Sequence, residues 1–297
     1  MSDRTPETVE WALAVGKESS RAGSRLARSL EASGVAAQIL DGSSMSALAE
    51  AITNHGRTGG GVVAVGGDGT VNLVADALLA AETAVPPLMA VLPGGTGSDF
   101  ARLFGFSDSP EEAAQRIATG ESYPLDVGTI TGSFGTRRVV NVAETGLGAS
   151  ALALAERLPR QLGSIKYQLA FPLVLPGFKT AHISLHTDTR TWEGEATLAV
   201  FANAEYFGGG LKIAPRASVV DGKFNVIVME GSKWRSLRLF QKMKTGVHLQ
   251  DPRIHHFVTR TFRLQSSLPW DVETDGEYLG TGPVEGRIEP SALILRV

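Results

Sequence analysis

The sequence predicts a two-part fold: an α/β domain with a parallel sheet and glycine-rich phosphate loops, followed by a mostly antiparallel β-sandwich. Three observations predict it. The β-branched run Val62-Val63-Ala64-Val65 feeds straight into Gly66-Gly67-Asp68-Gly69-Thr70. The helix-patterned Val71 to Leu78 follows at once, with Val71, Val74 and Leu78 on one face. The same order then recurs in Leu88 to Leu92, the turn Pro93-Gly94-Gly95-Thr96-Gly97-Ser98-Asp99 and the helix-like Phe100 to Phe104. After Leu125 the helical period gives way to short alternating segments separated by turn signals.

Taken in order, Val9, Trp11, Leu13 and Val15 alternate as a strand, and Glu18 to Ala32 reads as a helix with Leu26 and Leu30 on one face. Val35 to Leu40 is a second strand and Met45 to Ile52 a second helix. The two glycine-turn units come next, then a helix over Pro110 to Ile117. Strands alternating with helices imply a parallel sheet with right-handed crossovers. Beyond the boundary near Leu125, strands are predicted over Val139 to Val142, Ala181 to His186, Leu198 to Phe201, Phe224 to Met229, His256 to Leu264 and Leu293 to Val297. Helical insertions are predicted near Ala149 to Glu156 and near Trp234 to Val247.

Composition narrows the function. The chain has 297 residues, enough for two domains with real cores. Its net charge of −3, with both signs interspersed, gives no basic tail, and no nucleic-acid-binding motif is present. With no cysteine, disulfides, thiolate metal sites and cysteine nucleophiles are excluded. The polar start lacks a signal core, and no uncharged apolar run approaches the ~20 residues that span a bilayer. A soluble, cytoplasmic protein is the expectation, with transient peripheral contact with a membrane surface still open to it. A homodimer is compatible with the sequence, which carries no marker of oligomeric state.

The chemistry concentrates at the glycine turns. A turn between a strand and a helix aims backbone amides and the positive end of a helix dipole at one point, which suits phosphate. Glycine lets the backbone approach an anion without Cβ collisions. One such turn is weak evidence, since tight turns need glycine anyway. Two at consecutive strand ends, each with threonine and aspartate, lie where ligands bind in open parallel sheets. Thr70 and Thr96 are candidate hydroxyl donors to phosphate, and Lys17, after the first strand, is a candidate phosphate contact. Asp68 would repel phosphate unless it works through a metal ion or contacts a donor instead.

Gly66-Gly67-Asp68-Gly69-Thr70, then Pro93 to Arg102, then Asp275-Gly276-Glu277 resemble the diacylglycerol kinase catalytic family, which is distantly related to NAD kinases. The resemblance covers nearly the whole chain with the motifs in order. It implies residues 1–125 as the nucleotide-binding domain, 126–287 as the lipid-substrate β-sandwich, and a last strand, about 288–297, returning to the first domain. The implied activity is transfer of the γ-phosphoryl group of ATP, with Mg²⁺, to a lipid hydroxyl, most simply that of diacylglycerol. The nucleotide would lie on Gly66, Gly67, Asp68, Gly69, Thr70, Gly94, Gly95, Thr96 and Gly97, with Lys17 nearby. Asp68, Asp99, Asp126 and Asp221 would take part in a carboxylate, water and Mg²⁺ network. On local sequence Asp275-Gly276 is a hairpin turn presenting Glu277 at its tip, and the family's general base occupies the glutamate of this motif. Asp68→Ala is expected to abolish turnover with little change in thermal stability.

Three departures stand out. The family's Asn-Pro near the first turn is replaced by Ala12-Leu13. Its threonine-rich turn after the second strand is replaced by Asp41-Gly42-Ser43-Ser44, and Ser98 stands where asparagine is usual. An NAD kinase shares the first glycine turn but carries a threonine-proline-threonine-glycine-serine segment missing here. A catalytically silent lipid- or nucleotide-binding regulator would not need the retained carboxylates. The charge-free Tyr167 to Phe178 reads as a core helix or as a wall for an acyl chain, flanked by Arg160, Lys166 and Lys179. His255-His256 is no metal site, because neighbours on a strand face opposite ways.

Overall fold

The computed structural model describes residues 9–94, 98–162 and 165–297. Two compact units divide it: one runs through Val127 and takes back Pro290–Val297, and the other spans Gly128–Glu289.

In the first unit, β1 (Trp11–Val15), α1 (Ser20–Ala32), β2 (Ala37–Ile39), α2 (Met45–Arg57), β3 (Gly61–Gly66), α3 (Asp68–Leu79), β4 (Leu88–Pro93), α4 (Asp99–Phe104) and α5 (Pro110–Thr119) follow one another. The strands line up as β2-β1-β3-β4, all parallel, with Leu13 beside Val63 and Val63 beside Ala90. Ile294 and Leu295 add a further parallel strand segment beside Leu88 and Met89. Every residue of β3 and β4 is buried, as a sheet covered on both faces requires. Trp11, Leu13, Leu26, Leu30, Leu92 and Ile117 share one core cluster. Helix ends are fixed locally: Ser44 accepts from the Ala47 amide, Ser109 from Glu112 with Pro110 behind it, and Gly105 closes α4 in the left-handed region at φ 66°. The structure starts α3 three residues earlier than the apolar pattern suggests. Asp68, Gly69 and Thr70 form its first turn, and Gly67 is its N-cap.

From β5 (Ser122–Gly132) the chain enters the second unit through β6 (Gly135–Val139) and β7 (Val142–Gly146), then α6 (Leu147–Arg157) and α7 (Ile165–Val174). Then come β8 (Ala181–Thr187), β9 (Thr191–Ala202), β10 (Phe224–Glu230), α8 (Lys233–Met243), β11 (Ile254–Thr259), β12 (Thr261–Ser266), β13 (Asp271–Thr274), β14 (Glu277–Thr281) and β15 (Val284–Arg296). The unit is an antiparallel sandwich in which β14-β13-β7-β9-β8-β12 pair in that order with the start of β15, and β10 bridges β9 and β11. Its core stacks Phe201 on Phe262 with centroids 3.7 Å apart, and Phe224 meets Phe262 edge-on. The predicted single strand from His256 to Leu264 is two strands. The Asp188 carboxylate accepts from the Thr259 hydroxyl and the Arg260 amide, and this holds the corner between β11 and β12.

Candidate functional site

The first glycine turn is made where β3 runs into α3. The Gly94 amide donates to the Gly66 carbonyl at 2.9 Å, which joins the ends of β3 and β4. The Gly16 amide donates to Val65 at 2.9 Å, so the turn after β1 lies at the same sheet edge. Packing forces some of these glycines. A Cβ on Gly66 would lie 2.3 Å from the Thr70 hydroxyl, and one on Gly94 would lie 2.3 Å from the Ser19 hydroxyl and 2.8 Å from Gly66 Cα. Gly67 and Gly69 differ: among the described residues, a Cβ at either would meet nothing within 4 Å. No contact among the described residues requires glycine there. The first amides of a helix have no intrahelical acceptor, so α3 presents them beside two unencumbered glycines.

Asp68 takes the second of its two sequence-level options and contacts donors. Its Oδ1 accepts from the Ser98 hydroxyl and the Phe100 amide, both at 3.0 Å, and its Oδ2 accepts from the Asp99 amide at 2.8 Å. Ser98 in turn accepts from the Ala101 amide at 3.2 Å. One carboxylate from α3 thus caps α4, and the two glycine motifs become a single constellation. Asp99 is buried at 5% exposure, with Oδ1 3.8 Å from Arg102 Nε. Asp126, on β5, is buried and accepts from the Ser291 amide at 2.8 Å. Lys17 is exposed on the turn after β1. Gly95, Thr96 and Gly97 lie outside the described residues. Sequence reasoning gave Ser98 no role and passed over Ser19. Ser19 is buried and packs where a Gly94 side chain would go. Its one sequence signal is a serine just ahead of α1.

In the second unit, Asp275 (φ 47°) and Gly276 (φ 84°) form the two-residue turn between β13 and β14, with Thr274 opposite Glu277. Both turn residues lie in the left-handed region, which suits Asp-Gly. Asp275 holds the turn: its carboxylate accepts from the amides of Val140 at 2.8 Å and of Asn141 and Val142 at 2.9 Å. Glu277 emerges exposed at the start of β14. Asp221 is exposed on a separate turn and accepts from the Lys223 amide at 3.0 Å. The unit also contains a cavity of about 590 Å³, within the usual size of small-molecule sites. Leu154, Leu173, Val174, Phe178 and Trp270 line it, with Arg157, Lys179 and Asp271 among its polar groups. Asp271 accepts from the Ser150 hydroxyl at 2.6 Å and the Tyr278 hydroxyl at 3.1 Å. Desolvation, then the Asp271 charge, raises the Tyr278 phenol above its ordinary value.

Among the described residues, no three His, Cys, Asp or Glu side chains gather as a metal cage. Asp68, Asp99, Asp126 and Asp221 nonetheless offer only hard carboxylate oxygens, and the chain has no thiolate to favour a softer metal. That donor chemistry fits Mg²⁺, which takes one or two protein carboxylates and leaves its other positions to water and phosphate.

A parallel-sheet unit with glycine turns over helix N-termini is a nucleotide-binding architecture. Residues 14–130 match the diacylglycerol kinase catalytic domain, and residues 141–297 match the YegS C-terminal NAD kinase beta sandwich-like domain. A diacylglycerol kinase of Mycobacterium tuberculosis is 30% identical over 237 residues, covering 78% of this chain and 75% of that protein. One from Bacillus subtilis is 28% identical over 227 residues, covering 75% and 73%. The crystal structure of a diacylglycerol kinase from Bacillus anthracis superposes with a TM-score of 0.71 at 20% identity, covering 98% of this chain and 96% of that one, and supports the fold. The chain belongs to the diacylglycerol kinase family. It is an enzyme, a lipid kinase of a family that uses ATP as phosphoryl donor.

Proposed function

We propose that this chain phosphorylates the primary hydroxyl of diacylglycerol, giving phosphatidic acid, with Mg²⁺-ATP as donor. The observation that carries this reading is the pair Gly67 and Gly69. They are glycines that no contact among the described residues demands, placed at the N-terminus of α3, where an incoming phosphate would fill the space a side chain would take. The turn that begins at Gly94 faces the same phosphates, the Thr70 hydroxyl donates to them, and Lys17 adds a cation. Mg²⁺ bound with the nucleotide would neutralise phosphate charge, with Asp99 and Asp126 of the first unit as the carboxylates that would hold it and Asp68 fixing the loop. Glu277 accepts the proton of the attacking hydroxyl, a contribution of about 10²–10⁴-fold in rate for a well-placed base. The cavity beside α7 holds the glycerol end or the first part of an acyl chain.

The lipid comes from a membrane surface. α7 exposes Leu169 and Leu173, α8 exposes Trp234 at 57%, and Arg238 and Lys242 are exposed beside it. Lys233 Nζ donates to the carbonyls of Pro176 and Phe178, both at 2.8 Å, and so fastens the start of α8 to the segment that follows α7. An exposed tryptophan among bases on a helix is the composition of an interfacial anchor. Among the described residues, no helix is long and apolar enough to cross a membrane, so this reading is one of docking.

Labelled ATP offered with a lipid-extract panel and with NAD, with and without Mg²⁺, tests the proposal. Mg²⁺-dependent label in phosphatidic acid is the expected result; label in NAD, or in no lipid, overturns it. Glu277→Gln should lower kcat at least 100-fold with nucleotide binding by calorimetry close to wild type. Wild-type single-turnover rates in that variant would remove Glu277 from the mechanism.

A further inference from the structure

Two glutamates lie inside the second unit at positions where the strand pattern calls for apolar side chains. Glu144 on β7 stands directly opposite Glu273 on β13, and they are 2% and 0% exposed. Oε1 of each is buried without a hydrogen-bond partner among the described residues. Val200 stands across from Glu144 on β9. On α6, a Cβ at Gly148 would fall 1.8 Å from Glu144 Oε1, so glycine there leaves room for the carboxyl.

Among the described residues, no cation offsets the pair at close range. The charged and titratable groups on surrounding elements are Asp271 and Asp275 on β13 and its turn, Glu277 and Tyr278 on β14, Arg137 and Arg138 on β6, Glu193 and Glu195 at the exposed start of β9, and Glu156 and Arg157 at the far end of α6. Burial pushes the Glu144 carboxyl up to about 8. Burial first, then Glu144 and Asp275, pushes Glu273 well above the usual carboxylate range, although the Gly276 amide works against this. Two adjacent buried carboxyls cannot both ionise without large cost.

The pair lies behind the turn that carries Glu277. Glu273 Oε2 accepts from the Gly276 amide at 2.9 Å, in the middle of that turn. Asp275 grips residues 140–142, which lead into the strand bearing Glu144. Negative charge on the pair would repel Asp275 and loosen that grip. We propose that Glu144 and Glu273 are positioning residues that keep their protons at neutral pH and, un-ionised, hold the Asp275-Gly276 turn and with it Glu277, and that ionisation of the pair in alkaline solution releases the turn.

This inference rests on the reading of Glu277 as the base, so one of its tests does not use activity. At neutral pH, the infrared difference spectrum of wild type minus Glu144→Gln/Glu273→Gln should show the carbonyl band of a buried protonated carboxyl. Absence of that band overturns the proposal whatever Glu277 does. In lipid phosphorylation, wild-type kcat should fall about tenfold per pH unit above the pair's first ionisation, and the double glutamine variant should lose that fall. Glu273→Leu, which removes the acceptor for Gly276, should lower kcat at least tenfold with the KM for ATP unmoved. Glu273→Gln, which keeps a carbonyl acceptor, should restore it. A flat wild-type profile, the same alkaline fall in the double variant, or wild-type kcat in Glu273→Leu overturns the proposal. If Glu273→Leu does not fold, the double variant decides.

Discussion

Asp68 binds three donors at the start of α4, and this changes what its removal should do. Asp68→Ala will lower turnover, but it will also lower stability by about 1–3 kcal/mol, because it strips a charged cap from a helix end. Thermal unfolding beside single-turnover kinetics checks this; an unchanged melt would mean that α4 finds other acceptors. The expectation of an unchanged melt does not survive, because the amides that Asp68 serves belong to another motif, 30 to 32 positions downstream. Local sequence reading has no access to such a contact. The glycines allow a sharper contrast. Gly67→Ala and Gly69→Ala should leave the fold intact, the second even gaining a few tenths of a kcal/mol or up to about 1 kcal/mol as a helix residue. Each should raise the KM for ATP at least tenfold, through collision with phosphate. Gly66→Ala should destabilise the protein itself, because its Cβ would strike Thr70. Equal ATP affinity in Gly67→Ala and wild type would take the nucleotide away from this loop.

At the level of elements, what the sequence makes legible is what is local and periodic. β3 with α3 and β4 with α4 are readable because an apolar run, a glycine turn and a helical period lie within a few residues of one another. α7 is harder: Ala170 and Leu175 are buried while Leu169 and Leu173 are exposed, so an apolar segment without a polar face is partly core and partly surface. Its periodicity could not decide between core and acyl-chain wall. β15 is visible in sequence only at its end, because Glu289, Pro290 and Ser291, the last at φ 51°, interrupt the alternation. α8 stops at Met243 rather than Val247, where Gly246 turns left-handed at φ 75°. For α8 the expected behaviour is interfacial. Trp234→Ala should weaken co-sedimentation with anionic vesicles, and Arg238→Glu with Lys242→Glu should weaken it further, each base being worth about 1 kcal/mol near an anionic surface and less in high salt. Equal binding to neutral vesicles in high salt would contradict an electrostatic contribution.

At the scale of the molecule, the buried glutamates set a pH dependence of stability. In the unfolded chain Glu144 ionises near 4.5, and in the folded chain near 8, so between those values the folded state holds more protons. Stability therefore falls as pH rises through that window, by up to about 1.4 kcal/mol per pH unit from this group. Glu144→Gln removes that loss. Its melting temperature should overtake that of wild type progressively from mildly acidic to mildly alkaline solution, and a constant difference across that range would show that Glu144 is ionised in the fold. The pairing of Ile294 and Leu295 with Leu88 and Met89 has a consequence on a different axis, the order of synthesis. On the ribosome, β4 emerges early, but its outer neighbour is made only after the whole sandwich has been translated. Through that interval an apolar strand carries an open edge of the kind that recruits other chains. A nascent or trimmed chain lacking these last residues should depend on chaperones in proportion to how long that edge waits.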